Sequence, residues 1–264
     1  SFPDALAVGP VAGLRDSAIL LVQRDAVPGS TAVELERLRP QRVVIVGGTA
    51  AVSTAVQSAI GELTDGGIER IAGVDRYATA LALSRATFPD GAGTVHLVSG
   101  AGFADAIVAG PAAGRSAGPV LLVGDSVTPE LSAELLRLDP SLLVVVGGES
   151  TMPTPLVEQL DSIVPDSGLA RASDVDRYST ATNVARRFGA VVETVYLTTG
   201  ASFPDALAAT PAAIADGAPI LLLPGDGPVP DAVLDYVRDV EPSSLVVIGG
   251  TAAVPDDVVQ QLTS

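Results

Sequence analysis

The chain has 264 residues, 47% of them apolar but only 3% aromatic, and 31 acidic against 15 basic side chains leave a net charge of −16. It has no Cys, which excludes disulfides and thiolate metal sites, and no apolar run reaches the roughly 18 residues of a membrane-spanning helix. Every cation is Arg; so acidic a chain is poorly suited to non-specific nucleic-acid binding, and an anionic ligand has to be met by a few clustered arginines against the overall field.

The core must be built from Val, Leu, Ile and Ala, as in layered sheets covered by Ala-rich helices. One stretch occurs three times, with its phenylalanine at Phe2, Phe103 and Phe203, and a period that long means three copies of one structural unit. In the first copy, Phe2 to Arg15 reads as helical with a break at Gly9-Pro10. Ile19 to Val22 reads as a short strand, and Glu34 to Leu38 as part of a helix ending before Pro40. Val43 to Val46 is a second strand, closed by Gly47-Gly48. Val52 to Leu63 carries apolar residues at helical spacing, and Arg70 to Gly73 is a short extended piece.

The second copy opens on Asp75-Arg76-Tyr77 and a helix to about Ala86. Strand Val95 to Val98, the Phe103 helix, strand Val120 to Val123, helix Glu130 to Leu138, strand Leu142 to Val146, Gly147-Gly148 and helix Pro155 to Ile163 follow. The third opens on Asp176-Arg177-Tyr178. It repeats the order through strand Val195 to Leu197, the Phe203 helix, strand Ile220 to Leu223, helix Asp231 to Val237, strand Leu245 to Ile248, Gly249-Gly250 and a last helix from Asp256. Short, wholly apolar strands alternating with helices predict parallel sheets buried on both faces. Units of this size are expected to pack together, around a pseudo-threefold axis.

The first copy lacks the Asp-Arg-Tyr opening, its helix and the strand matching Val95 to Val98. The expectation is a trimmed piece of a longer chain, or elements supplied by another chain, because natural sheets avoid exposed edges. No basic-then-apolar signal segment starts the sequence.

Three signatures invite a chemical reading. Ser202-Phe-Pro-Asp205, with Ser1-Phe-Pro-Asp4 and Gly102-Phe-Ala-Asp105, reads as a helix cap with Pro in the first turn, or as a ligand-facing helix start at the carboxyl ends of the strands. The Gly-Gly pairs read as tight turns, since neither a dinucleotide fingerprint nor a Lys-dependent phosphate loop is present. Asp75-Arg76-Tyr77 and Asp176-Arg177-Tyr178 pair a helix cap with a planar cation suited to carboxylate or phosphate and a flat ring on which a sugar can lie. The lone His96, mid-strand, reads as a buried core residue.

The ordered set Arg-Ile-Ala-Gly-x-Asp-Arg-Tyr-x-Thr-Ala, Phe-Pro-Asp-Ala-Leu-Ala, Pro-Ile-Leu-Leu and Val-Val-x-Gly-Gly resembles the cell wall-binding repeat 2 family. Two full copies and one partial copy cover essentially the whole chain, divided as 1–69, 70–169 and 170–264. The resemblance implies an α/β fold of three tandem Rossmann-like or Toprim-like repeats. It implies a non-catalytic module of secreted, cell-surface proteins that holds an anionic wall glycopolymer, such as a teichoic-acid-like polymer, without cofactor or metal. Carried over, the ligand-binding residues are Arg76, Tyr77, Arg177 and Tyr178, Asp4, Asp105 and Asp205, with Pro119, Leu121, Leu122, Pro219, Leu221 and Leu222 of the Pro-Ile-Leu-Leu element at the polymer-binding surface. In the first copy Ala18 replaces that Pro, and no Arg matches Arg76; Asp174 adds charge beside Asp176 in the third. Two alternatives stand beside this reading: a structural surface-layer component contacting other proteins, and a Mg²⁺-dependent Toprim-like enzyme using Asp4, Asp105 and Asp205.

Overall fold

The computed structural model describes residues 2–263. A 3-10 turn at Phe2–Ala5 leads into α1 (Val8–Leu14), α2 (Gly29–Leu38), β1 (Arg42–Val46), α3 (Thr54–Glu62) and β2 (Gly67–Ile71). The second unit runs α4 (Arg76–Thr87), β3 (Thr94–Ser99), α5 (Ala104–Arg115), β4 (Val120–Val123), α6 (Pro129–Leu138), β5 (Leu142–Val146), α7 (Thr154–Ile163) and β6 (Gly168–Ala172). The third runs α8 (Arg177–Ala185), a 3-10 turn (Arg186–Phe188), β7 (Thr194–Thr199), α9 (Pro204–Ala215), β8 (Ile220–Leu223), α10 (Asp231–Val240), β9 (Ser244–Ile248) and α11 (Asp256–Gln260).

All strand pairs are parallel, in three sheets ordered β1-β2, β4-β3-β5-β6 and β8-β7-β9. The second unit shows why its strands read as continuous apolar runs. Val95, Leu97, Leu121, Val123, Leu143 and Val145 pack with Leu131, Leu135 and Leu160 of α6 and α7. The alternate residues Val98, Val120, Leu122, Val144 and Val146 pack with Ala106, Ala109 and Ala113 of α5. Successive side chains take opposite faces and both faces are covered, so apolar side chains fill these strands and a polar one such as His96 is the exception.

The three equivalent helices α1, α5 and α9 pack against one another, which sets the units around a common axis. Their approach depends on missing side chains. A Cβ on Gly9 or Gly110 would lie 2.6 or 2.9 Å from Thr210 Cγ2, and one on Gly13 or Gly114 would lie 2.4 Å from Ile214 Cδ1. Each layer of the junction thus holds two glycines and one larger residue. The buried Thr210 hydroxyl is satisfied by donating to the Ala206 carbonyl at 3.0 Å.

Three details depart from the sequence reading. Ile19 to Val22 is not a strand. In the second unit β4 pairs only with β3, and among the described residues the first unit has no counterpart of β3. Without that neighbour an apolar run has no ladder to join, however strand-like its composition. The expected break at Gly9-Pro10 is also absent: α1 runs through both residues, because Pro10 lies in the first turn, where an N–H has no acceptor within the helix. Lastly, β2 and β6 sit where one sequence repeat gives way to the next, yet each completes the sheet of the preceding unit. Each opening helix, α4 or α8, then packs on the following unit, against β4 or β8. Neighbouring units are therefore tied by strand exchange as well as by the central helices.

The same corner between the opening helix and the third helix of a unit is solved in three ways. In the second unit Glu134 is buried at 1% exposure and accepts from Ser84 Oγ (2.6 Å), Arg85 Nε (3.0 Å), Arg137 Nε (3.0 Å) and Arg137 Nη2 (2.7 Å). In the third unit Tyr236 takes that place, its hydroxyl reaching the Ala185 carbonyl at 3.4 Å beneath the Arg186 guanidinium. In the first unit Glu34 and Arg37 make the same pair at 2.6 Å, but in solvent, because no opening helix covers it.

Candidate functional site

The carboxyl ends of the strands gather the Asp-Arg-Tyr and Phe-x-Asp motifs. Asp75 and Asp176 are helix caps: Asp75 accepts from Ala78 N at 2.8 Å, and Asp176 from Tyr178 N and Ser179 N at 2.9 and 2.8 Å. The Ser179 hydroxyl accepts from Asp176 N and completes a capping box, which α4 lacks because Ala78 stands there. Capping fixes the first turn, and the first turn fixes Arg and Tyr. Arg76 Nη1 donates to the Gly100 carbonyl at 2.7 Å, and Arg177 Nη1 to the Gly200 carbonyl at 2.5 Å. Tyr77 and Tyr178 lie against those glycines so closely that a Cβ on Gly100 would be 2.3 Å from Tyr77 Cε1, and one on Gly200 would be 2.8 Å from Tyr178 Cε1. The Arg-Tyr pair thus holds the loop between the central strand and the Phe helix.

Both clusters sit at unit junctions. Thr79 Oγ1, in the first turn of α4, lies 3.3 Å from Asp4 Oδ1 of the first unit. Arg177 of the third unit stacks over Phe103 of the second at 5.6 Å, and Phe103 meets Phe203 with ring centroids 6.2 Å apart. Arg177 is exposed and Arg76 half-buried, and neither forms an ion pair among the described residues. Each donates one N–H to a carbonyl and keeps the rest of its fork.

Gly102 and Ser202 do not cap their helices, and Asp105 and Asp205 complete no capping box. The N-caps of α5 and α9 are Phe103 and Phe203, with no capping side-chain bond, and the expected Ser1 cap lies outside the described residues. Each carboxylate instead abuts the first glycine of its own Gly-Gly turn. A Cβ on Gly47, Gly147 or Gly249 would lie 3.1, 2.8 or 3.0 Å from the Asp4, Asp105 or Asp205 Oδ2 atom, and all three glycines have positive φ, at 107°, 124° and 115°. Arg70 and Arg171 brace two of these turns from β2 and β6, donating to the Gly47 carbonyl at 2.7 Å and the Gly147 carbonyl at 3.1 Å. Alanine at Gly147 meets both a left-handed backbone and Asp105, and is expected to cost about 1–3 kcal/mol in urea unfolding. Alanine at Gly148, whose nearest contact would be an ordinary 3.5 Å, should leave the transition in place.

Burial raises the Asp105 carboxyl above its ordinary value, and the Arg177 charge opposes this only in part. The folded state therefore holds that proton more tightly than the unfolded chain does. Its ionised form weakens the fold as pH rises from the ordinary carboxylate range through the raised value. Asp105→Asn is expected to raise the melting temperature at neutral pH, with the gain closing on acidification as the wild-type carboxyl takes up its proton; pH-resolved thermal melts check this.

The Pro-Ile-Leu-Leu elements are elsewhere. Pro119 and Pro219 are buried, and their carbonyls accept from His96 N and Tyr196 N, each at 3.0 Å, as the first rungs of the sheet ladders. Leu121 and Leu221 are 0% exposed, Leu122 is 3% and Leu222 is 1%. These six residues are core, and their side chains cannot reach a polymer at the surface; a wholly apolar strand is as well explained by two covered faces as by a ligand. Among the described residues no three Asp, Glu or His side chains gather as a metal would need. Asp4, Asp105 and Asp205 each belong to a separate turn, so the magnesium alternative loses its constellation. What sequence reasoning missed are the Gly100 and Gly200 carbonyls that receive the arginines; the glycine three residues ahead of Phe103 and of Phe203 was the available signal.

Residues 1–57, 70–157 and 171–259 match the cell wall binding domain 2 (CWB2) family. The chain is 28% identical over 263 residues to the N-acetylmuramoyl-L-alanine amidase LytC of Bacillus subtilis (strain 168), covering 99% of this chain and 51% of that protein. It is 31% identical over 195 residues to the amidase enhancer of the same organism, covering 74% of this chain and 26% of the relative. Among solved structures, Cwp6 from Clostridium difficile aligns with a TM-score of 0.88 at 26% identity over 99% of this chain and 42% of that one. Cwp8 from the same organism aligns at 0.87 and 24% over 99% and 45%, a likeness of fold. The chain spans about half the length, or less, of these proteins.

Proposed function

The chain belongs to the cell wall binding domain 2 family, and from that premise we propose that it is a non-catalytic anchoring module of a secreted, cell-surface protein, holding an anionic wall glycopolymer at its unit junctions. One observation carries this reading. The same motif twice presents an arginine without an ion pair at the carboxyl ends of the strands, beside the start of a helix and a half-buried tyrosine ring. A guanidinium with free N–H groups suits phosphate or carboxylate, the helix start adds favourable potential, and the tyrosine offers an edge to a sugar. Asp4, Asp105 and Asp205 position the turns beside this surface. The net charge of −16 does not oppose binding at contact range, because distant carboxylates are screened over about 8 Å at physiological salt. Two linked weak sites on one polymer give retention that neither gives alone.

The experiment is co-sedimentation with purified Gram-positive cell walls, before and after extraction of the anionic polymer. Retention on native walls and loss on extracted walls is the expected outcome. Equal retention on both would mean that the peptidoglycan, not the polymer, is held.

A further inference from the structure

A second cluster of arginines lies at the opposite, amino ends of the strands. A cavity of about 220 Å³ opens between the second and third units, lined by Thr94 and His96 of β3, Leu142 and Val144 of β5, Ala112, Arg115 and Ser116 at the end of α5, and Arg187 and Phe188. None of the lining residues is acidic. Arg115 and Arg187 are exposed, and neither has an ion pair among the described residues. Arg115 Cζ lies over the Phe188 ring, 5.4 Å from its centroid, a cation–π contact that leaves the guanidinium N–H groups to donate. His96 is 3% exposed, and its Nδ1 has no hydrogen-bond partner. A buried polar atom left so is costly and calls for an explanation.

The repeats supply an internal comparison. In the third unit Tyr196 stands in place of His96 and Asp216 in place of Ser116. The Tyr196 hydroxyl donates to Asp216 Oδ2 at 2.8 Å, so that corner satisfies itself. In the first unit Leu14 stands in place of Arg115, and Arg15, in place of Ser116, is spent on the Ala86 carbonyl at 2.8 Å. Among the described residues only the second unit combines a free arginine, a second arginine from its neighbour and an unsatisfied imidazole. The cavity is several times the roughly 30 Å³ share of a water molecule.

We propose that this cleft binds a phosphoryl oxyanion, gripped by Arg115 and Arg187 with the His96 imidazole at its back. Two guanidinium forks suit tetrahedral oxygens, and the apolar floor of Ala112, Val144 and Phe188 suits the carbon of an ester. Ser116 is not a donor here, because its hydroxyl already donates to the Ala112 and Ala113 carbonyls at 3.1 Å. Those carbonyls end α5 with partial negative charge, which Arg115 offsets. Burial, followed by the Arg187 charge, pushes His96 down to about 4, so the imidazole is neutral at neutral pH. An oxyanion beside it raises that value again. The assignment does not rest on the wall-polymer reading, since the cleft is remote from Arg76 and Arg177.

His96 is the chain's one histidine, so its imidazole resonances need no assignment. The test is NMR titration of those signals near pH 7 with inorganic phosphate, with glycerol phosphate, and with sodium chloride at matched ionic strength. Saturable shifts with phosphate but not chloride are expected, together with a raised His96 pKa in phosphate. Arg115→Ala and Arg187→Ala should each weaken binding tenfold or more, and Arg15→Ala should not. Both arginines are exposed, and unchanged circular dichroism confirms that the variants fold. Saturation by inorganic phosphate alone supports a site for the free anion. Saturation by the ester as well supports one for a phosphoryl group borne on a larger molecule. No saturable shift with either, or a shift that survives the double arginine variant, overturns the proposal.

Discussion

Arg137→Ala is expected to lower the unfolding free energy by roughly 3 kcal/mol, the range seen when one partner of a buried ion pair is removed. Glu134 has no exposed side-chain surface, whereas Arg137 is 30% exposed and Arg85 52%. Removing Arg137 takes two charge-assisted bonds from a carboxylate that cannot turn to water. It also takes the bonds that Arg137 Nη1 donates to the Phe88 and Pro89 carbonyls at 2.7 and 3.2 Å, which finish α4. Desolvation pushes the Glu134 carboxyl up, but bonds from Arg137, Ser84 and Arg85 outweigh it and hold the group below its ordinary value. That stabilisation is fully present above the ordinary carboxylate range of about 4.3 and is lost as pH falls through the lower folded value. Urea unfolding should therefore show a large wild-type advantage at pH 7 that narrows below about pH 4. Arg37→Ala, which breaks the exposed counterpart pair with Glu34, should leave the midpoint unchanged.

The second large effect concerns the face at the carboxyl ends of the strands. Replacing Arg76 and Arg177 together by Gln is expected to reduce wall retention tenfold or more, about 1.4 kcal/mol in binding. Gln keeps the stem of the side chain but carries no charge and stops short of the Nη1 atoms that reach the Gly100 and Gly200 carbonyls, so the anion loses its partners. Each single variant should lose less than the pair, because the remaining junction still holds the polymer. Melting curves separate this outcome from misfolding. Intact retention by a folded double variant would remove these arginines from the interface.

Much of the fold was legible because buried parallel strands leave a plain trace. Val120–Val123 and Leu142–Val146 occupy the predicted residues to the letter, since both faces of each strand demand apolar side chains. Ile19 to Val22 has the same composition and is not a strand, because a strand is a relation between two segments and its neighbour is missing among the described residues. Asp75 and Asp176 were legible as caps, since a cap is local. Gly102 and Ser202 look like caps in sequence, with Asp105 and Asp205 as their capping-box partners, but the caps are Phe103 and Phe203 and the aspartates sit against Gly147 and Gly249, far along the chain. The leucines of Pro-Ile-Leu-Leu misled for a related reason: an apolar tetrapeptide reads alike whether it faces a ligand or a core. Glu134 gave no signal at all, as one helical Glu among several, until the fold set Ser84 and Arg85 over it.

Titration calorimetry with soluble fragments of the anionic polymer, graded by length, asks most directly whether one chain is gripped at successive junctions. Affinity is predicted to be weak for a fragment of one repeating unit and to climb at least tenfold once the fragment spans both arginine clusters. An affinity that does not change with length would contradict the account, since a single pocket, and not a row of weak contacts, would then be holding the ligand.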